Sequence, residues 1–134
     1  MVNNSDSFDQ QILDLVNQER AKVGADPLSI NEQLDQTADL HSQDQASMNN
    51  MTHTGSNGSD AGTRIQGEGY QFSMVAENVA AGYLDAEAVV AGWMGSEGHR
   101  ENILNSGFEE LGVGYATSDD GTIYWTQNFG AEIV

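Results

Sequence analysis

The C-terminal quarter of the chain constrains the fold most. There "ELGVGYAT" and "TIYWTQNFGA" alternate in period two about the turn "SDDG". Leu111, Val113 and Tyr115 would then oppose Ile123, Trp125 and Phe129 across a hairpin. A hairpin of this kind needs layers to cover it, and the upstream sequence supplies helices that would cover both faces.

The segment "SFDQQILDLVNQERAKVG" has Ser7 and Gln10 at capping-box spacing, a buried face of Phe8, Ile12, Leu15 and Val16, and a stop at Arg20, Lys22 and Gly24. "PLSINEQLDQTADLHSQDQASMN" reads as a second helix packed on the first, with Ser29 and Glu32 as its capping box and Leu34, Ala38 and His41 near helical spacing. From Asn49 to Gly62 the residues become Asn, Gly, Ser and Thr, which predicts a long loop carrying His53. A short helical piece is expected at Thr63 to Gly67. In "SMVAENVAAG" the alternation predicts a strand that projects Val75, Glu77 and Val79 from one side. Asp85 then caps "AEAVVAGWMG", a third helix pairing Val89 with Trp93 and Val90 with Met94. The order is helix, helix, strand, helix, hairpin. It predicts an α+β fold, a three-layer α-β-α sandwich with a small antiparallel central sheet, in a single domain spanning 1–134 with a flexible N-terminus over 1–6.

The 134 residues, 38% of them apolar, suffice for one core without disulfides or a structural metal. No apolar run has the length needed to cross a bilayer. Four basic against 21 acidic residues give a net charge of −17, which repels phosphate backbones, so nucleic acid is excluded as a partner. The acidity is spread along the chain as a solvated surface. With no cysteine, thiolate nucleophiles and thiolate metal sites are absent, and only His, Asp and Glu remain as metal ligands. The opening "MVNNSDSFDQ" has neither the basic nor the apolar region of a secretory signal, so a cytosolic protein, a mature form or an excised domain is expected. A monomer is expected.

Three histidines exist, at 41, 53 and 99, and two lie in glycine-flanked irregular segments, "THTG" and "EGHRE". His41, on a helix face beside leucines, reads as a packed or capping side chain. His53 and His99 are the candidates for chemistry, although neither stands in an HExxH, His-x-His or nucleophile-elbow motif. Trp93, Trp125 and Phe129 read as core. Arg100 is the candidate for a buried or bridging cation, expected to pair with an acidic helix.

In combination, the blocks "LVNQERAKVGADPLSINEQLDQTADLHSQDQ", "THTGSNG", "RIQGEGY", "AENVAAG", "AVVAGWMGSEGHRENIL", "ELGVGYA" and "IYWTQNFG" resemble, in that order, the CAP superfamily in its bacterial SCP-domain form. This is the superfamily of cysteine-rich secretory, antigen 5 and pathogenesis-related proteins. The resemblance runs from about Phe8 to Gly130, nearly the whole chain. It implies an α-β-α sandwich with a central cleft that gathers two histidines and, in many members, two glutamates into a divalent-cation site. By motif these are His53, Glu77 and His99, a set whose donor types suit zinc or another divalent cation. The chain departs from the eukaryotic pattern at the second acid. Ser96 stands where those members carry glutamate, and Glu97 follows one residue on, so both are counted with the cleft.

The resemblance leaves two function classes open. One is an extracellular binding module whose cleft holds a cation and a small-molecule, glycan or protein ligand. The other is a metal-dependent peptide or ester hydrolase, with Glu77 or Glu97 as base. No oxyanion donor pair is legible in the sequence, which favours the first. A fastened polar network of His53, Glu77 and His99, helped by Asn78 and Asn102, is the structural alternative. Some eukaryotic members bind sterols or fatty acids, but the Cys-bounded loop that would form such a pocket is missing. "SDDGT" is too short for a calcium loop.

Overall fold

The computed structural model describes residues 4–133, with side chains over 8–133. Four strands form one sheet in the order β1-β3-β4-β2. The expected hairpin is β3 (Glu110–Thr117) and β4 (Ile123–Glu132), antiparallel with Leu111 opposite Phe129 and Tyr115 opposite Trp125. Ile123 pairs with Thr117 and Val113 with Gln127. Strand β2 (Phe72–Ala81) lies antiparallel along the other side of β4 and forms one edge of the sheet. At the opposite edge, β1 is a two-residue strand (Ser29–Ile30) parallel to β3, so the sheet is antiparallel except for this short addition.

Helix α1 (Asn4–Lys22), α4 (Ala86–Met94) and α5 (Glu97–Leu104) cover one face. Ile12, Val16, Val89, Trp93 and Ile103 from these helices meet Leu111, Val113, Trp125 and Phe129 in the main core. Phe8 packs edge-on against Tyr115 and Trp125, with ring centroids 4.8 and 5.1 Å away. Trp93, Trp125 and Phe129 are buried, as their spacing predicts.

Helix α2 (Glu32–Met48) and α3 (Ala61–Gly67) cover the other face, where Leu34, Ile65 and Tyr70 form a smaller cluster. The sheet therefore separates α2 from α1, and the expected packing of the second helix on the first does not occur. Period two explains why. The residues that alternate with Leu111 and Val113 are Gly112 and Gly114, and a Cβ at either would fall on the backbone of Leu34–Asp35 or Ala38–Asp39. Missing side chains let α2 lie directly on β3, and Asp35 accepts the Val113 N–H at 2.8 Å.

Three boundaries differ from expectation. Helix α1 begins at Asn4, so Ser7, expected at its start, lies inside it. The helix takes in residues 4–6 of the segment expected to be a flexible N-terminus, and the rest of that segment lies outside the described residues. Asn31 caps α2 by accepting the Leu34 N–H at 3.0 Å, and Ser29 belongs to β1. Residues after Gly95 form a separate helix, α5, which turns off from α4 at Gly95 and Ser96.

Candidate functional site

The loop between α2 and α3 is held from three sides. Asn49 ends α2 in the left-handed conformation at φ 50°, which asparagine tolerates better than most residues. Gln45 accepts the Thr52 N–H at 3.1 Å, and Asp44 accepts the Ser56 N–H at 2.7 Å. That second bond also holds the Asp44 carboxyl below its ordinary pKa. His41 is fully buried, and its Nε2 donates to the Thr52 carbonyl at 2.7 Å. From α3, Arg64 Nη1 donates to the carbonyls of His53, at 3.0 Å, and Ser59, at 2.8 Å.

These bonds deliver His53 to Glu77 of β2. His53 Nδ1 donates to Glu77 Oε1 at 3.0 Å, and Arg64 Nη2 donates to Glu77 Oε2 at 2.8 Å. His41 Nε2 stands 3.9 Å from Oε1. The Glu77 side chain is 3% exposed and that of His53 58% exposed. A buried carboxylate thus orients an open imidazole whose Nε2 remains available. The hydrogen bond to Glu77 raises the His53 pKa above its ordinary value. His41 is shifted the other way because burial disfavours its charged form.

His99 comes from α5, across the edge of β2. Asn78 donates to the His99 carbonyl at 3.2 Å and to Gln127 Oε1 at 3.0 Å, and Asn102 donates to Asn78 Oδ1 at 2.9 Å. This network fastens the start of α5 to the strand. Burial and then the nearby charge of His53 lower the His99 pKa, so the two imidazoles interact across the edge. Ser96 occupies the N-cap position of α5 without a side-chain cap bond, Glu97 opens the helix, and both are exposed.

The structure therefore brings His53 and Glu77 into contact, with His99 close by. Glu77 Oε1 accepts from His53 and Oε2 from Arg64, so each carboxylate oxygen already holds one protein partner. Among the described residues no three of His, Asp and Glu converge in a set that could hold a metal ion. Glu77 stands behind His53 as the group that orients its imidazole.

One residue of this site was not legible as such. Arg64 lies in a short helix with no motif of its own, and its four acceptors become neighbours only in the fold. The reverse holds for Arg100, which is exposed and donates to the Met94 carbonyl at 3.4 Å instead of pairing with an acidic helix. The buried cation is Arg20, whose guanidinium donates to the carbonyls of Asp26, Ile103, Asn105 and Phe108 at 2.8 to 3.2 Å.

Comparison with known proteins identifies the family. The uncharacterized protein YkwD of Bacillus subtilis (strain 168) is 39% identical over 123 residues, which are 92% of this chain and 47% of that protein. The uncharacterized membrane protein YlbC of the same organism is 36% identical over 90% of this chain and 34% of its own length. Among solved structures, an extracellular protein containing an SCP domain from Bacillus anthracis superposes with a TM-score of 0.85 at 33% identity, covering 98% of this chain and 45% of that one. The chain thus spans less than half the length of each of these relatives. Residues 13–129, from α1 to the last core phenylalanine, match the model of the cysteine-rich secretory protein family. With most of its length matched by that model and by relatives above 30% identity, this cysteine-free chain belongs to that family.

Proposed function

We propose that this domain is an extracellular binding module whose cleft, formed by His53, Glu77, Ser96, Glu97 and His99, takes a divalent cation or polar ligand on the imidazoles of His53 and His99. The observation that carries the reading is the bond from His53 Nδ1 to the buried Glu77 at 3.0 Å, with the ring 58% exposed. A carboxylate behind an imidazole is the arrangement that prepares histidine to bind an ion through its other nitrogen. Two imidazoles favour zinc over magnesium or calcium, which prefer oxygen. An extracellular setting is supported by the Bacillus anthracis relative, which is itself an extracellular protein.

Calorimetric titration of metal-stripped protein with zinc tests this. The expected result is saturable one-site binding that disappears in the His53→Ala, His99→Ala double variant and weakens about tenfold or more in Glu77→Gln. Equal binding by the wild type and the double variant would overturn it.

The same pair supports a second reading, because a carboxylate-oriented histidine is also the base half of hydrolytic machinery. Hydrolysis of peptides or esters that is lost in His53→Ala but independent of added metal would favour that reading.

A further inference from the structure

We infer that the outer edge of β2 binds an extended, proline-free, basic peptide as an additional strand; this rests on reading the cleft as a binding site and names the class of its ligand. Gly82 N–H donates to the Ile123 carbonyl at 2.9 Å, and the β2–β4 register then runs unbroken from Ala81–Tyr124 to Met74–Ala131. Antiparallel strands alternate bonded and non-bonded pairs, so Ala80, Asn78 and Ala76 turn their main-chain groups toward β4. Val79, Glu77 and Val75 turn theirs away. The orientation is visible at Val79, whose carbonyl accepts Trp93 Nε1 from outside the sheet at 3.1 Å.

Among the described residues, no protein group takes up the outward N–H and C=O of Val75 and Glu77. The stretch is bounded by the Trp93 contact at one end and by the register shift between Phe72 and Met74 at the other. Glu77 as a residue is 8% exposed while its side chain is only 3% exposed, so what solvent reaches is largely its main chain. An open ladder of alternating donors and acceptors is matched by another polypeptide backbone lying roughly 4.8 Å away. Proline at a pairing position would lack the donor.

Charge selects among peptides. Glu97 and Glu101 on α5, next to His99, and Asp60 at the end of the loop that carries His53 are exposed, and Asp44 is half-buried. The chain as a whole carries −17. Arg64 is committed to Glu77, so a basic peptide is the complementary one.

The test pans fluorescently labelled full chain over a bead library of proline-free heptapeptides and remakes the hits with N-methyl groups on alternate residues. The expected hits are rich in Lys and Arg. N-methylation of one alternate set should weaken binding about tenfold, and of the other about twofold at most. Val75→Pro, which removes an outward donor without removing a sheet bond, should weaken the hits by about tenfold as well. Should that variant fail to fold, amide exchange on the wild type decides: peptide must protect Val75 and Glu77 selectively over Ala76 and Asn78. No hits, acidic hits, indifference to which set is methylated, or no selective protection would overturn the inference. Peptide failure with histidine-dependent zinc binding intact would leave the cation site standing, and the converse result would remove the cation site alone.

Discussion

Glu77 is the residue on which the site turns, and its partners fix how the site responds to pH. Hydrogen bonding to Glu77 raises the folded pKa of His53 above the ordinary 6.5. The imidazolium–carboxylate contact therefore stabilises the fold fully below that value, and its contribution is lost as pH rises through the folded pKa. His41 and His99 act in the opposite sense. Their folded pKa values are lowered, chiefly by burial, so their contribution is present above the ordinary value and is lost as pH falls. Comparing wild type with His53→Ala cancels His41 and the burial that dominates at His99, leaving the smaller effect of the His53 charge on His99. The melting-temperature difference should be widest near about pH 5.5 and shrink by about pH 8.5, and a difference that widens with pH would contradict the Glu77 contact. At this scale the sequence made much of the site legible. Glycine-flanked His53 and His99 stood apart from His41, and period two put Glu77 on the side of Val75. Arg64 stayed hidden because an arginine in a seven-residue helix carries no sign of which carbonyls and carboxylate it will meet.

Between elements, two devices hold the layers, and neither has a local signature. Arg20 closes α1 by donating to carbonyls at Asp26, Ile103, Asn105 and Phe108, which ties the end of α1 to the end of α5 and the approach to β3. In sequence it looks like an ordinary basic residue in a last turn, because three of its acceptors are 83 to 88 positions away. Lysine cannot reproduce the planar fork, so Arg20→Lys should cost about 2 to 4 kcal/mol in urea unfolding at unchanged m-value. The second device is the glycine pair under α2. The alternation in "ELGVGYAT" makes the apolar face of β3 easy to read, whereas Gly112 and Gly114 look merely permissive until a helix backbone is found against them. Gly112→Ala and Gly114→Ala should each destabilise by about 3 kcal/mol, read from thermal unfolding, since the added methyl meets backbone that cannot rotate away. Substitution at Gly121, where nothing lies within 4 Å, would report only its φ of +89°.

For the whole molecule, charge is the property that the fold leaves least balanced. The four basic residues set against 21 acidic ones do not all serve the surface. Arg20 is buried on carbonyls and Arg64 is bound to Glu77 inside the cleft, which leaves Lys22, paired with Glu19 at 3.0 Å, and the exposed Arg100. The outer surface is therefore almost wholly anionic, and its mutual repulsion opposes the compact state more than the expanded one. Added salt shortens the screening length from about 20 Å near 20 mM to about 4 Å near 0.5 M, which removes most of that repulsion. The buried contacts at Arg20 and Glu77 are shielded from bulk ions and change little. The melting temperature should rise steadily with sodium chloride across this range and then level off, while a neutral osmolyte of equal osmolality gives no such plateau. A melting temperature that falls with salt would mean that surface ion pairs contribute more to stability than repulsion subtracts, and with only Lys22 and Arg100 outside there are too few cations for that.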